Sequence, residues 1–90
     1  MFNILIVEDE IKITQVIKAY LDKEGYHCIV ANNGEQALEF FLKNSIDLII
    51  LDRMLPDISG EEICEKVRAI SKVHIIYRIS VRGPAVYRPA

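Results

Sequence analysis

Three apolar runs of strand length, residues 3–7 (NILIV), 27–31 (HCIVA) and 47–51 (DLIIL), recur along the chain with helically spaced segments between them. A strand that is apolar at nearly every position is covered on both faces, and such strands belong to parallel sheets flanked by helices. In the first interval Ile13, Val16, Ile17, Tyr20 and Leu21 recur at three- and four-residue steps up to Gly25, a suitable C-cap. In the second, Asn32-Asn33-Gly34 turns the chain, Asn33 is placed to cap a helix, and Ala37, Leu38, Phe41 and Leu42 form its inner face as far as Asn44. A third helix is expected over about residues 59–71, with Ile63, Val67 and Ile70 inward and Cys64 beside them, followed by a fourth strand over 73–79. Strands alternating with helices imply an α/β fold with right-handed crossovers.

The chain of 90 residues is one small domain, and 51 % apolar with 27 % charged residues is a globular composition. A net charge of -2 gives no reason to expect nucleic-acid binding by this segment. The opening apolar run is short, lacks a basic start and runs into Glu8-Asp9-Glu10, so it reads as neither signal peptide nor membrane span, and a cytoplasmic location is expected. Cys28 and Cys64 are far apart and outside any CxxC pattern, which suits buried, reduced thiols. His27 and His74 have no partner at useful spacing and read as core or edge residues.

Two of the strands end in carboxylates, Glu8 and Asp9 after the first and Asp52 after the third. Adjacent parallel strands would bring these ends together at the carboxyl edge of the sheet, where open α/β folds place their ligands. After Asp52, Leu55-Pro56-Asp57 and Ser59-Gly60 turn the chain away from the sheet. Two readings stand at this point. The acidic residues could serve turns and helix starts, where negative side chains are favoured. Alternatively, their mutual repulsion could be relieved by a hard divalent cation such as Mg²⁺, with Asp52 free to act as a nucleophile toward a phosphoryl group.

The segments ILIVEDE, ANNGEQA and DLIILDRMLPDISG, in that order, resemble the receiver domain of two-component response regulators, over about residues 2 to 76. The resemblance implies a flavodoxin-like doubly wound parallel sheet in the order 2-1-3-4. It also implies that Asp52 takes a phosphoryl group from the phosphohistidine of a sensor histidine kinase. By the same resemblance Glu8, Asp9 and Asp52 would hold Mg²⁺ with the Met54 backbone carbonyl, and Pro56 and Gly60 would shape the loop. The wording is also similar to receivers that precede a winged-helix DNA-binding domain.

The chain departs from that family toward its end. Receivers carry a Thr or Ser closing the fourth strand and a Lys closing the fifth; aligning VHIIYRIS puts Ile79 at the hydroxyl position with Ser80 one place late, and no Lys follows Lys72. A one-residue slip along a strand turns a side chain to the opposite face. Arg78, Arg82 and Arg88 do not substitute simply for that Lys, since their fork geometry and reach differ. The tail VRGPAVYRPA shows neither strand nor helix periodicity. Residues 1–76 are therefore expected to be a truncated receiver, lacking the fifth strand and last helices, and 77–90 an aberrant tail. One codon set for residues 77–90, read one base further on, spells Thr-Ala-Tyr-Leu-Ser-Glu-Asp-Arg-Leu-Ser-Ile-Gly-Leu, a receiver-like continuation, so a frameshift near residue 76 or 77 is expected. The fourth strand would then be a bare edge, inviting self-association.

Other functions fit the sequence less well. A receiver-like docking or self-association module would not depend on Asp52, and a frameshifted remnant would have no function. Phosphatases and phosphomutases with an aspartyl nucleophile place a second Asp two residues later; Met54 stands there, so no enzyme is expected.

Overall fold

The computed structural model describes residues 1–52, 55–79 and 86–89, for 78, 79 and 86–89 by the backbone alone. The elements follow as β1 (Asn3–Val7), α1 (Ile11–Lys23), β2 (His27–Ala31), α2 (Gly34–Lys43), β3 (Leu48–Asp52), α3 (Gly60–Arg68), β4 (His74–Ile79) and β5 (Val86–Pro89). They build one sheet in the order β2-β1-β3-β4-β5. The first four strands are parallel, with Val7 opposite both Ala31 and Leu51, and Leu51 opposite Tyr77. The expected 2-1-3-4 flavodoxin-like arrangement is thus the observed one.

Local chemistry fixes each helix. Gly25 ends α1 with φ +91°, a conformation L side chains rarely adopt, while its N–H reaches Asp22 O (3.0 Å) and the Tyr26 N–H reaches Leu21 O (3.1 Å). This paired closure is a Schellman motif, and glycine is there for its backbone. Asn33 caps α2 by accepting the Gln36 N–H at 2.8 Å, as expected, and Ser59 caps α3 by accepting the Glu62 N–H at 3.1 Å.

Three expectations need correction. The helix expected to reach residue 71 ends at Arg68, so Ile70 lies beyond it and is 63 % exposed, whereas Ile63 and Val67 are buried. Of the helix faces expected to be inward, Ile17 and Leu21 of α1 and Ala37, Leu38 and Phe41 of α2 pack against the cores, but Val16 and Tyr20 are 70 % and 64 % exposed and Leu42 is 71 % exposed. The edge expected to be bare beyond β4 instead carries β5, which runs antiparallel with Tyr87 opposite Arg78 and Pro89 opposite Ile76. An unpaired strand edge offers a row of hydrogen-bonding groups, and a four-residue partner pairs with Ile76–Ile79 of that edge without needing any helical crossover. Proline in that partner agrees with an outermost position. Among the described residues there is no fifth parallel strand.

Two cores result. Leu5, Val7, Ala31, Ile49, Leu51 and Ile75 meet Ala37, Ile63 and Val67 of α2 and α3 on one face. Ile4, Ile6 and Cys28 lie under α1 on the other. No helix among the described residues is long and apolar enough to cross a membrane.

Candidate functional site

The acidic residues meet at the carboxyl end of the sheet because β1 and β3 are neighbours in parallel register: Val7 and Leu51 are paired, so Glu8 and Asp52 follow side by side. Asp52 is the last residue of β3 and is 4 % exposed; Glu8 is 2 % exposed, and Asp9 is exposed. One carboxylate oxygen from each of Glu8, Asp9 and Asp52 lies within 4.8 Å of the other two. At that separation each pair of ionised groups repels by roughly 3 kcal/mol at an effective dielectric of about 20. Two of the three being buried, water screens them poorly.

The donors are all hard oxygens at one edge of the sheet, with the exposed Asp9 leaving an approach from solvent. Such a set suits a hard cation with few protein ligands, Mg²⁺ foremost, and offers no nitrogen or sulfur to a softer metal. Of the residues expected to hold the ion, Glu8, Asp9 and Asp52 are brought together; Met54 lies outside the described residues, as does Ser80.

The surrounding bonds orient the cluster. Glu8 Oε2 accepts the Glu10 N–H at 3.1 Å, turning the Glu8 carboxylate toward the start of α1. The Glu8 N–H donates to Ala31 O at 3.0 Å, and Asn32 Nδ2 donates to Glu8 O at 3.3 Å. Five residues after Asp52, Asp57 accepts the Gly34 N–H on Oδ1 (2.8 Å) and the Glu35 N–H on Oδ2 (3.0 Å), which ties this part of the chain to the start of α2. The Gly34 N–H, followed by other backbone donors, holds the Asp57 carboxyl below the usual aspartate range. A Cβ on Gly34 would sit 2.8 Å from Ile58 Cβ, so this residue is glycine because the loop approaches so closely.

Asn32 and Asp57 were not foreseen as part of this surround. Their bonds span 24 and 23 residues in sequence, and no local pattern announces such pairings. Cys28 is buried and Cys64 half-buried, both as free thiols; burial pushes the Cys28 thiol pKa up, which makes it inert. His27 and His74 are exposed strand residues.

The model of the response regulator receiver domain family matches residues 4–88. The chain is 43 % identical over 76 residues to the response regulator ArlR of Staphylococcus haemolyticus, an alignment covering 84 % of this chain and 35 % of that protein. Among solved structures it is similar to the response regulator TrrA of Thermotoga maritima in complex with Mg²⁺ and BeF, with 42 % identity, a TM-score of 0.80, and coverage of 83 % of this chain and 66 % of that one. It is likewise similar to a structure of the histidine kinase ThkA in complex with TrrA, with 38 % identity, a TM-score of 0.82, and coverage of 93 % and 76 %. The fold and its acidic edge define a signalling domain, and the chain belongs to the response regulator receiver family. It spans about a third of the length of the curated relatives it matches.

Proposed function

We propose that this chain accepts a phosphoryl group on Asp52 from the phosphohistidine of a sensor histidine kinase. The observation that carries the proposal is the grouping of Glu8, Asp9 and Asp52 within 4.8 Å at the carboxyl edge of the sheet. Membership of the receiver family supports it, as do the similar structures solved with Mg²⁺ and BeF and with a histidine kinase. Glu8, Asp9, Asp52 and the Met54 carbonyl would hold Mg²⁺, which when bound neutralises the crowded carboxylates and the incoming phosphoryl oxygens. A carboxylate oxygen of Asp52 forms the new P–O bond as the donor P–N bond breaks. The electron pair of that bond returns to the imidazole nitrogen, which takes a proton from solvent, and an acyl phosphate remains on Asp52. Burial of Asp52 and Glu8 keeps the acceptor oxygen fixed and limits hydrolysis by stray water.

The reading places the chain in the cytoplasm as a signalling partner without turnover chemistry, and gives this segment no role at nucleic acid or membrane. Incubation with a small acyl-phosphate donor and Mg²⁺ should yield one labile phosphate per chain by intact mass spectrometry. Incorporation should vanish on Asp52→Ala or on removal of the metal with a chelator. Folded protein that takes up no phosphate overturns the proposal.

A second reading, a docking or self-association module that is not switched, is favoured by one observation. Val16, Ile17, Tyr20, Leu21 and Ile50 line an open apolar groove of about 390 Å³ beside α1. In that case association measured by sedimentation would be identical in wild type and Asp52→Ala. The division into a receiver over 1–76 and a frameshifted tail over 77–90 is also proposed, and the encoding DNA from codon 76 onward tests it: the adjacent frame must spell the receiver-like peptide.

A further inference from the structure

We propose that Asp57 is a positioning residue: by clamping the chain five residues after the acceptor onto the start of α2, it braces the acidic site that the β1–β3 pairing assembles. This rests on the phospho-acceptor reading above for its consequence, though not for its geometry.

The β2–α2 turn touches both the segment that carries Glu8 and the segment that follows Asp52. On the side of the acidic pair, Ala31 O accepts the Glu8 N–H and Asn32 Nδ2 donates to Glu8 O. The turn is itself braced, since the Asn32 N–H donates to Gln36 Oε1 at 2.9 Å and the Gln36 N–H to Asn33 Oδ1 at 2.8 Å. On the acceptor side, five residues after Asp52, both carboxylate oxygens of Asp57 take the Gly34 and Glu35 N–H groups. Ile58 presses onto Gly34 so closely that no Cβ fits between them. The loop is therefore pinned at two adjoining points, one polar and one steric, to the same turn that holds the main chain of Glu8.

Capping alone does not explain Asp57. Asn33 already supplies the local cap of α2, and Glu35 already places a negative charge in its first turn. What Asp57 adds to the packing of Ile58 on Gly34 is a directed polar bond across 23 residues of sequence. A carboxylate gripping two N–H groups has a defined direction, which a single neutral contact lacks. Without it, the tie to the β2–α2 turn rests, among the described residues, on the packing of Ile58, and the acidic site loses one of the braces that hold it for metal binding and in-line attack.

The test uses the full chain as wild type, Asp57→Ala and Asp57→Asn, with Gly34→Ala as a variant that strains the steric point instead. Backbone amide signals of Glu8, Asp9 and Asp52 are recorded by NMR without metal and through a Mg²⁺ titration, alongside circular dichroism. Asp57→Ala is expected to shift the metal-free signals of Asp52 and of the acidic pair in a folded protein and to weaken Mg²⁺ binding about tenfold, the low end for outer partners of metal ligands. Asp57→Asn, which retains an oxygen for the Gly34 N–H, should fall between, and Gly34→Ala should move the same signals. If Asp57→Ala fails to fold, Asp57→Asn and Gly34→Ala carry the same readouts. Unmoved signals at all three residues with unchanged Mg²⁺ affinity overturn the proposal. Should wild type neither respond to Mg²⁺ nor take up phosphate, the phospho-acceptor reading falls, while the metal-free signals still decide the role of Asp57.

Discussion

The two faces of the sheet are built from the same strands and equally apolar residues, yet they are covered very differently. Ile49, facing α2 and α3, is 1 % exposed; its neighbour Ile50, facing the α1 side, is half-buried and lines an open groove. Both are isoleucines in the middle of β3, so the difference lies overhead. A helix about 10 Å across covers roughly two strands spaced about 4.8 Å apart. Among the described residues, one face has two helices and closes over β1, β3 and β4; the other has α1 alone, which closes over Ile4, Ile6 and Cys28 and leaves β3 open. Burial in a sheet protein is set by how many helices each face receives, not by how apolar its strands are.

That contrast can be broken by substitution. The largest effect is expected for Leu51→Ala beneath α2 and α3, about 2–5 kcal/mol of lost stability in urea unfolding. Ile17→Ala, half-buried on α1, should cost about 1 kcal/mol. Equal losses at the two sites would mean that the α1 face is as tightly packed as the other. Next in size is Gly25→Ala, which meets no atom within 4 Å but must adopt φ +91°. Its cost is purely conformational, about 1 kcal/mol, and it should appear as a lowered unfolding midpoint with faster amide exchange confined to the end of α1. Smallest on stability are Val16→Ser and Tyr20→Ser, expected within about 0.5 kcal/mol of wild type. They should nonetheless reduce binding of an apolar fluorescent dye, because these side chains line the groove; unchanged dye binding would show that the groove is not the exposed apolar surface it is described to be.

Much of the fold is legible in the sequence because the strands are apolar runs with breakers between them. Asn33, Ser59 and Gly25 mark helix boundaries through bonds made within a few residues, so their roles follow from local chemistry. Glu8, Asp9 and Asp52 are legible for a topological reason: parallel neighbours end at the same edge, and strand order then does the gathering. The exposure of Val16 and Tyr20 was not legible, since helical spacing identifies an apolar side without showing whether anything lies opposite it. Ile70 misled for a related reason, its spacing being continuous with Val67 although the helix stops at Arg68. Strand β5 escaped notice because four residues are too few to display a period, and pairing with β4 rather than propensity makes them a strand. Asp57 escaped because it lies in a loop and its partners start a helix 22 and 23 residues earlier, so only folded geometry joins them.

The antiparallel outer strand has a consequence for the fate of the protein in a crowded solution. A six-residue edge such as His74–Ile79, rich in isoleucine, would be a template for stacking against copies of itself, with growth in one dimension. Val86–Pro89 replaces that template with a shorter rim that carries a proline, which lacks the N–H that a further strand would need. Among the described residues the rim of the sheet is thus four residues with a proline instead of six rich in isoleucine, a poorer template for a further strand.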